Sequence, residues 1–162
     1  MSAAIPLPVV STFPWTVSLG GMESTAMSAI FASHAATPNS SGTPRIATNG
    51  APSLGDTNFA ITAEGLLPNS SAVAVLGFAP FTPPLNLAAA GAQPGSELYV
   101  VGALGLTMAA NGSGAGSLPI GVPADPNLDN QSLYVQIIQF DPSLSFPLPI
   151  CQSEGMRLTF GQ

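Results

Sequence analysis

The sequence predicts an all-β fold: an antiparallel β-sandwich, jelly-roll-like in its strand spacing, with an extended N-terminal arm and one stretch that also reads as a short helix. Three observations carry this. Glycine and proline, 17 of each, are spread along the whole chain. Few windows of helical length escape a proline, which costs about 3 kcal/mol inside a helix. Val, Ile, Leu and Phe recur in short runs bounded by Gly, Pro, Asn, Asp and Ser, the rhythm of strands and turns. Hydrophobic residues make up 46% of 162, enough for a packed core and unlike a disordered composition.

In chain order, residues 1–34 form the arm and residues 35–162 the sandwich domain. Pro6, Pro8 and Pro14 punctuate the arm, and Trp15, Val17 and Leu19 alternate as in a strand. "MESTAMSAIFASH" is free of Gly and Pro. Met22, Ala26, Met27, Ile30 and Phe31 fall at helical spacing there, with a strand through Ala29–Ala32 as the rival. Residues 35–55 read as loop. "TNFAITAE" puts Phe59, Ile61 and Ala63 on one strand face, and "SAVAVLGF" follows the turn "LLPNS". Residues 80–95, rich in Pro and Ala, read as a long loop. "SELYVVGA" and "LGLTMAA" are two strands, or one strand with a glycine bulge. After the turn "NGSGAG" comes "SLPIGV", in which Pro119 implies a sheet edge or a strand end.

"DNQSLYVQIIQFDP" is apolar on both faces, with Leu133, Val135 and Ile137 on one and Tyr134, Ile138 and Phe140 on the other. Its second face needs a cover: the N-terminal segment, the helix candidate or a neighbouring subunit. Gln136 and Gln139 will want hydrogen-bond partners if buried. "EGMRLTFG" closes the chain, alternating Met156, Leu158 and Phe160. About seven or eight strands result.

Charged residues are only 6% of the chain, against roughly 25% in ordinary soluble proteins. Lysine is absent, and Arg45 and Arg157 are the only basic residues apart from His34. A phosphate-binding groove has no electrostatic footing, so nucleic acid is excluded as a partner. The uncharged stretch between Glu64 and Glu97 is broken by Gly and Pro, which argues against membrane insertion. The N-terminus lacks a positive n-region, so the chain is either cytosolic or a mature form of a secreted protein. Its low charge and Ser/Thr/Gly/Pro content favour the secreted reading. Cys151 is the only cysteine, which excludes an intrachain disulfide and a cysteine-based metal cluster and suits a buried side chain, with an intermolecular bridge as the lesser alternative.

Several stretches resemble a known domain. These are "GTPRIATNGAPSLGDTNFAITAEGLLPNSSAVAVLG", "GSELYV", "GSLPIGVPADPNLDNQSLYVQIIQFDP" and "EGMRLTFG". Over residues 35–161 the chain resembles the C-terminal β-sandwich domain of uncharacterised exported proteins of planctomycetes and related bacteria. The resemblance implies a secreted or surface β-sandwich and no catalytic residues. Relatives often carry one cysteine before the Gly-Thr-Pro and another before the Leu-Tyr-Val. This chain has other residues there, near Thr37 and Glu97, and must replace any such staple by packing or association.

No catalytic constellation stands out. His34 has no flanking motif for acid–base or nucleophilic work. "NGSGAG" has neither the spacing of a nucleophile elbow nor the lysine of a phosphate loop. Asp125, Asp129 and Asp141 are the weak Ca²⁺ candidates, a site that would need about six oxygen ligands. Asp before Pro is equally ordinary turn chemistry. Four glycosylation sequons, at Asn39, Asn69, Asn111 and Asn130, all fall in predicted loops.

The sequence therefore points to a non-enzymatic extracellular structural protein, without cofactor, that forms a homo-oligomer or filament. Exchange of the N-terminal arm between sheets is the expected route, with Ile5, Leu7, Val9, Val10, Phe13 and Trp15 as the inserted face. A carbohydrate- or surface-binding module is the alternative.

Overall fold

The computed structural model describes residues 25–30 and 36–162. The described chain is all-β, with ten strands and two single-turn 3₁₀ segments, at Ala88–Ala90 and Pro126–Leu128. The large sheet has the order β1 (Met27–Ile30), β10 (Ile150–Thr159), β9 (Ser132–Phe140), β4 (Ser71–Gly77), β7 (Leu104–Ala109), antiparallel throughout. The small sheet has the order β2 (Arg45–Thr48), β3 (Ala60–Glu64), β8 (Gly116–Pro119). A separate two-stranded ribbon pairs β5 (Pro80–Asn86) with β6 (Glu97–Val100). No helix among the described residues is long and apolar enough to cross a membrane.

The core lies between the two sheets. Alternation places Ala72, Ala74 and Leu76 of β4, Val135 and Ile137 of β9, and Met156 and Leu158 of β10 inward. Ile46 of β2 and Ile61 and Ala63 of β3 face them from the small sheet, with Phe59 just before β3. Fully burying a side chain such as Ile61 or Leu158 contributes about 1.5–3 kcal/mol. The predicted apolar faces Phe59/Ile61/Ala63, Leu133/Val135/Ile137 and Met156/Leu158/Phe160 all join this core.

Four expectations need correction. Met27–Ile30 is a strand and not part of a helix: β10 offers it a free edge to pair with, and Ser28 adds little to a helix. The remaining helix residues Met22 and Phe31 lie outside the described residues. The loop assigned to residues 35–55 contains β2, four residues long and anchored inward by Ile46 alone. The loop assigned to residues 80–95 contains β5. Pro83 and Pro84 are tolerated there because a two-stranded ribbon leaves each strand one unpaired side, and the pairing shifts between Pro80 and Leu85. The two readings of residues 96–109 resolve as two strands in different layers, β6 in the ribbon and β7 in the large sheet.

The cover of the second face of β9 is the fourth correction. At its centre that face is covered by this chain's own ribbon. Gly77, where β4 ends, lets the ribbon approach, since a Cβ there would overlap the Val101 carbonyl oxygen.

Candidate functional site

Four glutamine side chains join segments that share no strand ladder. On the outer face of β9, Gln136 Oε1 accepts from the Tyr99 N–H at 3.0 Å. Its Nε2 donates to the carbonyl oxygens of Glu97 (3.0 Å) and Ser153 (3.2 Å). Gln152 Nε2 donates to the same Glu97 carbonyl at 2.6 Å. Gln93, between the ribbon strands, donates to the carbonyls of Pro38 and Ile150. On the inner face, Gln139 Oε1 accepts from Leu67 N–H and Asn39 Nδ2, and Gln139 Nε2 donates to Ser70 Oγ. All four are buried. A glutamine carries its own donors and acceptor and no charge to desolvate, so it suits a chain with so few ionised groups. Thr37 and Glu97 are both tied to Gln152. Thr37 pairs with it through the backbone and Glu97 through its side-chain amide.

A bulge in β10 makes this geometry possible. Ser153 and Glu154 together oppose the single residue Ile137, between the pairs Gln152↔Ile138 and Gly155↔Gln136. Ser153 Oγ accepts the Ile137 N–H at 3.0 Å, restoring the bond that the ladder loses. The bulge switches parity, so Gln152 faces the ribbon while Cys151 and Met156 face the core side.

The three candidate calcium ligands do not converge. Asp125 caps the 3₁₀ turn at Pro126–Leu128 by accepting from Asn127 N–H and Nδ2. Asp129 accepts from Asn130 Nδ2. Asp141 lies at the other end of β9, about 26 Å of strand away. It is buried and accepts from Ser40 N–H (2.7 Å), Ser143 N–H (2.9 Å) and Ser143 Oγ (2.6 Å). Burial raises its pKa, but these hydrogen bonds outweigh burial and bring it down to about 2. Asp141 thus ties the Ser40 loop to the turn after β9.

Asn39, the first sequon, is also structural. It is buried, accepts from Ser41 and Gly42 N–H, and donates to Gly65 O and Gln139 Oε1. Asn69, Asn111 and Asn130 lie in turns, as expected. Cys151 is buried against the Gln139 carbonyl, and burial pushes its thiol up to about 11. Tyr99, on the ribbon strand β6, is buried. Burial, then the charge and hydrogen bond of Glu97, push its phenol up to about 12. Among the described residues no three His, Cys, Asp or Glu side chains cluster as metal ligands.

Two features do present an outward-facing surface. The first is an apolar cleft of about 330 Å³ at the end of the sandwich where β7 begins and β8 ends. Leu76, Leu104, Leu106, Leu133 and Phe160 line one side, and the segment after β8, including Ile120, the other. Sequence reading missed it, because its residues come from five separate segments. The second is the pair of outer strands of the large sheet. β1 (MSAI) and β7 (LGLTMA) carry neither a charge nor a proline, whereas β2 holds Arg45 and β8 ends in Pro119. Met27, Ile30 and Leu104, on those outer strands, are 51%, 50% and 54% exposed.

The self-association residues Ile5, Leu7, Val9, Val10, Phe13 and Trp15, and also His34, lie outside the described residues. Comparison of the chain with protein-family models, curated proteins and solved structures finds no match to any of them.

Proposed function

We propose that this chain is a non-enzymatic extracellular structural protein that self-associates into oligomers or filaments. The observation that supports it most is the contrast between the two sheets. A sheet edge presents a row of unpaired N–H and C=O groups, and monomeric proteins blunt such edges with charge, proline or a covering segment. The small sheet follows that practice, with Arg45 on one edge strand and Pro119 on the other. Neither edge strand of the large sheet carries a charge or a proline, and residues 1–22, which precede β1 in the chain, are uncharged. With 6% charged residues, little electrostatic repulsion opposes association.

The test is sedimentation velocity with negative-stain microscopy on the full chain and two variants. Thr107→Lys/Ala109→Lys puts two charges on exposed positions of β7, and Ser117→Lys puts one on exposed β8 as a control. The full chain and the β8 variant should assemble alike, and the β7 variant should run as a folded monomer. A full chain that stays monomeric at every concentration would overturn the proposal.

A further inference from the structure

We infer that Thr37 and Gln152 join covalently, the threonine hydroxyl displacing the amide nitrogen to leave an ester between β10 and the segment ahead of β2. This goes beyond the self-association reading and does not depend on it. Gln136 and Gln139 use both ends of their amides in hydrogen bonds. Gln152 uses only its nitrogen. Its Oε1 and the Thr37 Oγ1 are buried without a hydrogen-bond partner, in residues that are 0% and 4% exposed. Unpaired polar atoms so deep are costly and call for an explanation. Here the two stand on residues directly opposite each other in an antiparallel bridge.

The pairing sets the distance. Thr37 N–H donates to the Gln152 carbonyl at 2.9 Å, and Gln152 N–H donates to the Thr37 carbonyl at 3.3 Å. Antiparallel residues that exchange both bonds project their side chains to one face, with Cβ atoms about 4.5–5.5 Å apart. The four bonds from Thr37 Cβ through Oγ1, Cδ and Cγ to Gln152 Cβ span a gap of that size. Gln152 Nε2 is held by the Glu97 carbonyl at 2.6 Å, which fixes the amide against the ribbon. In the reaction Oγ1 bonds to Cδ, the Cδ–Nε2 bond breaks, and the hydroxyl proton leaves with the nitrogen as ammonia. Nothing is oxidised or reduced, and no co-reactant is needed. The charges of Glu97 and of Glu154 in the β10 bulge both act on the Tyr99 phenol. The Glu97 carboxylate therefore lies on the β10 side of the ribbon, where it can carry that proton. Once the nitrogen has gone, the Glu97 carbonyl keeps its bond from Gln136 Nε2 at 3.0 Å. The hydroxyl hydrogen that had no acceptor is gone as well. The ester closes a loop from ahead of β2 to the last strand, and a crosslink around a long loop stabilises chiefly by restricting the unfolded chain. Such a staple needs neither a lysine nor a second cysteine, both of which this chain lacks.

Mass spectrometry of the full chain under denaturing conditions tests this. The chain should be lighter than its sequence by one ammonia. Trypsin cleaves after Arg45 and Arg157, so Thr37 and Gln152 fall in different peptides. Those two peptides should stay joined until mild alkali or hydroxylamine splits them. Thr37→Val, close in shape, should restore the full mass and separate the peptides, whereas Thr37→Ser should keep them joined. A wild-type chain at its full sequence mass overturns the inference and leaves self-association standing. A deficit that persists in Thr37→Val with the peptides separate also overturns it, since succinimide formation at Asn49–Gly50 or Asn111–Gly112 releases ammonia too.

Discussion

Gln136 on β9 accepts the backbone N–H of Tyr99 on β6 at 3.0 Å and returns a bond to the Glu97 carbonyl of the same strand at 3.0 Å. A side chain thus pairs with the ribbon as a neighbouring strand would, and it fixes the ribbon over the large sheet. The residue is fully buried, so its removal cannot be repaired by water at the same place.

Gln136→Leu keeps the approximate size and strips every one of these bonds. The Tyr99 N–H and the Ser153 carbonyl then lose a partner inside the protein, and an unsatisfied buried polar group costs about 1–3 kcal/mol. The expected loss is about 2–4 kcal/mol in urea unfolding, with faster amide exchange confined to the ribbon. Equal protection of Glu97–Val100 in both proteins would refute the docking role.

Asp141 makes stability depend on acid. Its carboxyl lies at about 2 in the folded chain against an ordinary 3.8. The unfolded state therefore takes up the proton first as pH falls. The contribution is fully present above about pH 4 and lost progressively towards pH 2. Asp141→Asn should lower stability at pH 7 and flatten the acid limb of the urea midpoint against pH. An unchanged limb would assign the acid sensitivity to other groups.

Asn39 should behave as a core residue and not as a glycosylation site. Asn39→Ala removes the acceptor for Ser41 and Gly42 N–H and the donor to Gly65 O and Gln139 Oε1. The expected cost is about 2–3 kcal/mol. In a glycosylating host, mass spectrometry of the folded fraction should show no glycan at Asn39, because its Nδ2 is enclosed.

Much of the sandwich was legible because period-2 alternation is a direct record of burial on one face. Ile61, Val135 and Leu158 each sit among alternating neighbours and each faces the core. The demand of Gln136 and Gln139 for partners was also legible, but the partners were not. They are backbone groups and loop residues up to 100 positions away, such as Asn39. β5 hid behind Pro83 and Pro84, residues that rule out a central strand but not a ribbon. β1 hid because four residues satisfy a helical and an extended pattern equally, and pairing with β10 decided the matter. The cleft left no local pattern at all. The one available signal was the lack of charge in "LGLTMAA", which reads as a gap in edge protection once the strand is known to be an edge.

Alkaline pH should weaken the fold through two buried groups. Burial lifts the Cys151 thiol from an ordinary 9.0 to about 11, despite the opposing hydrogen bond from Asn39. Burial and the adjacent Glu97 carboxylate lift the Tyr99 phenol from 10.0 to about 12. In both cases the unfolded chain releases its proton first, so stability falls as pH rises through about 9 to 11 for Cys151 and about 10 to 12 for Tyr99. Cys151→Ala should remove the first part of that decline, and Tyr99→Phe the second. The native thiol should also resist an aromatic disulfide reagent at pH 8 and react at the rate of unfolding once urea is added. Immediate labelling of the native protein would show that Cys151 is open to solvent and would remove the basis for its part of the alkaline limb.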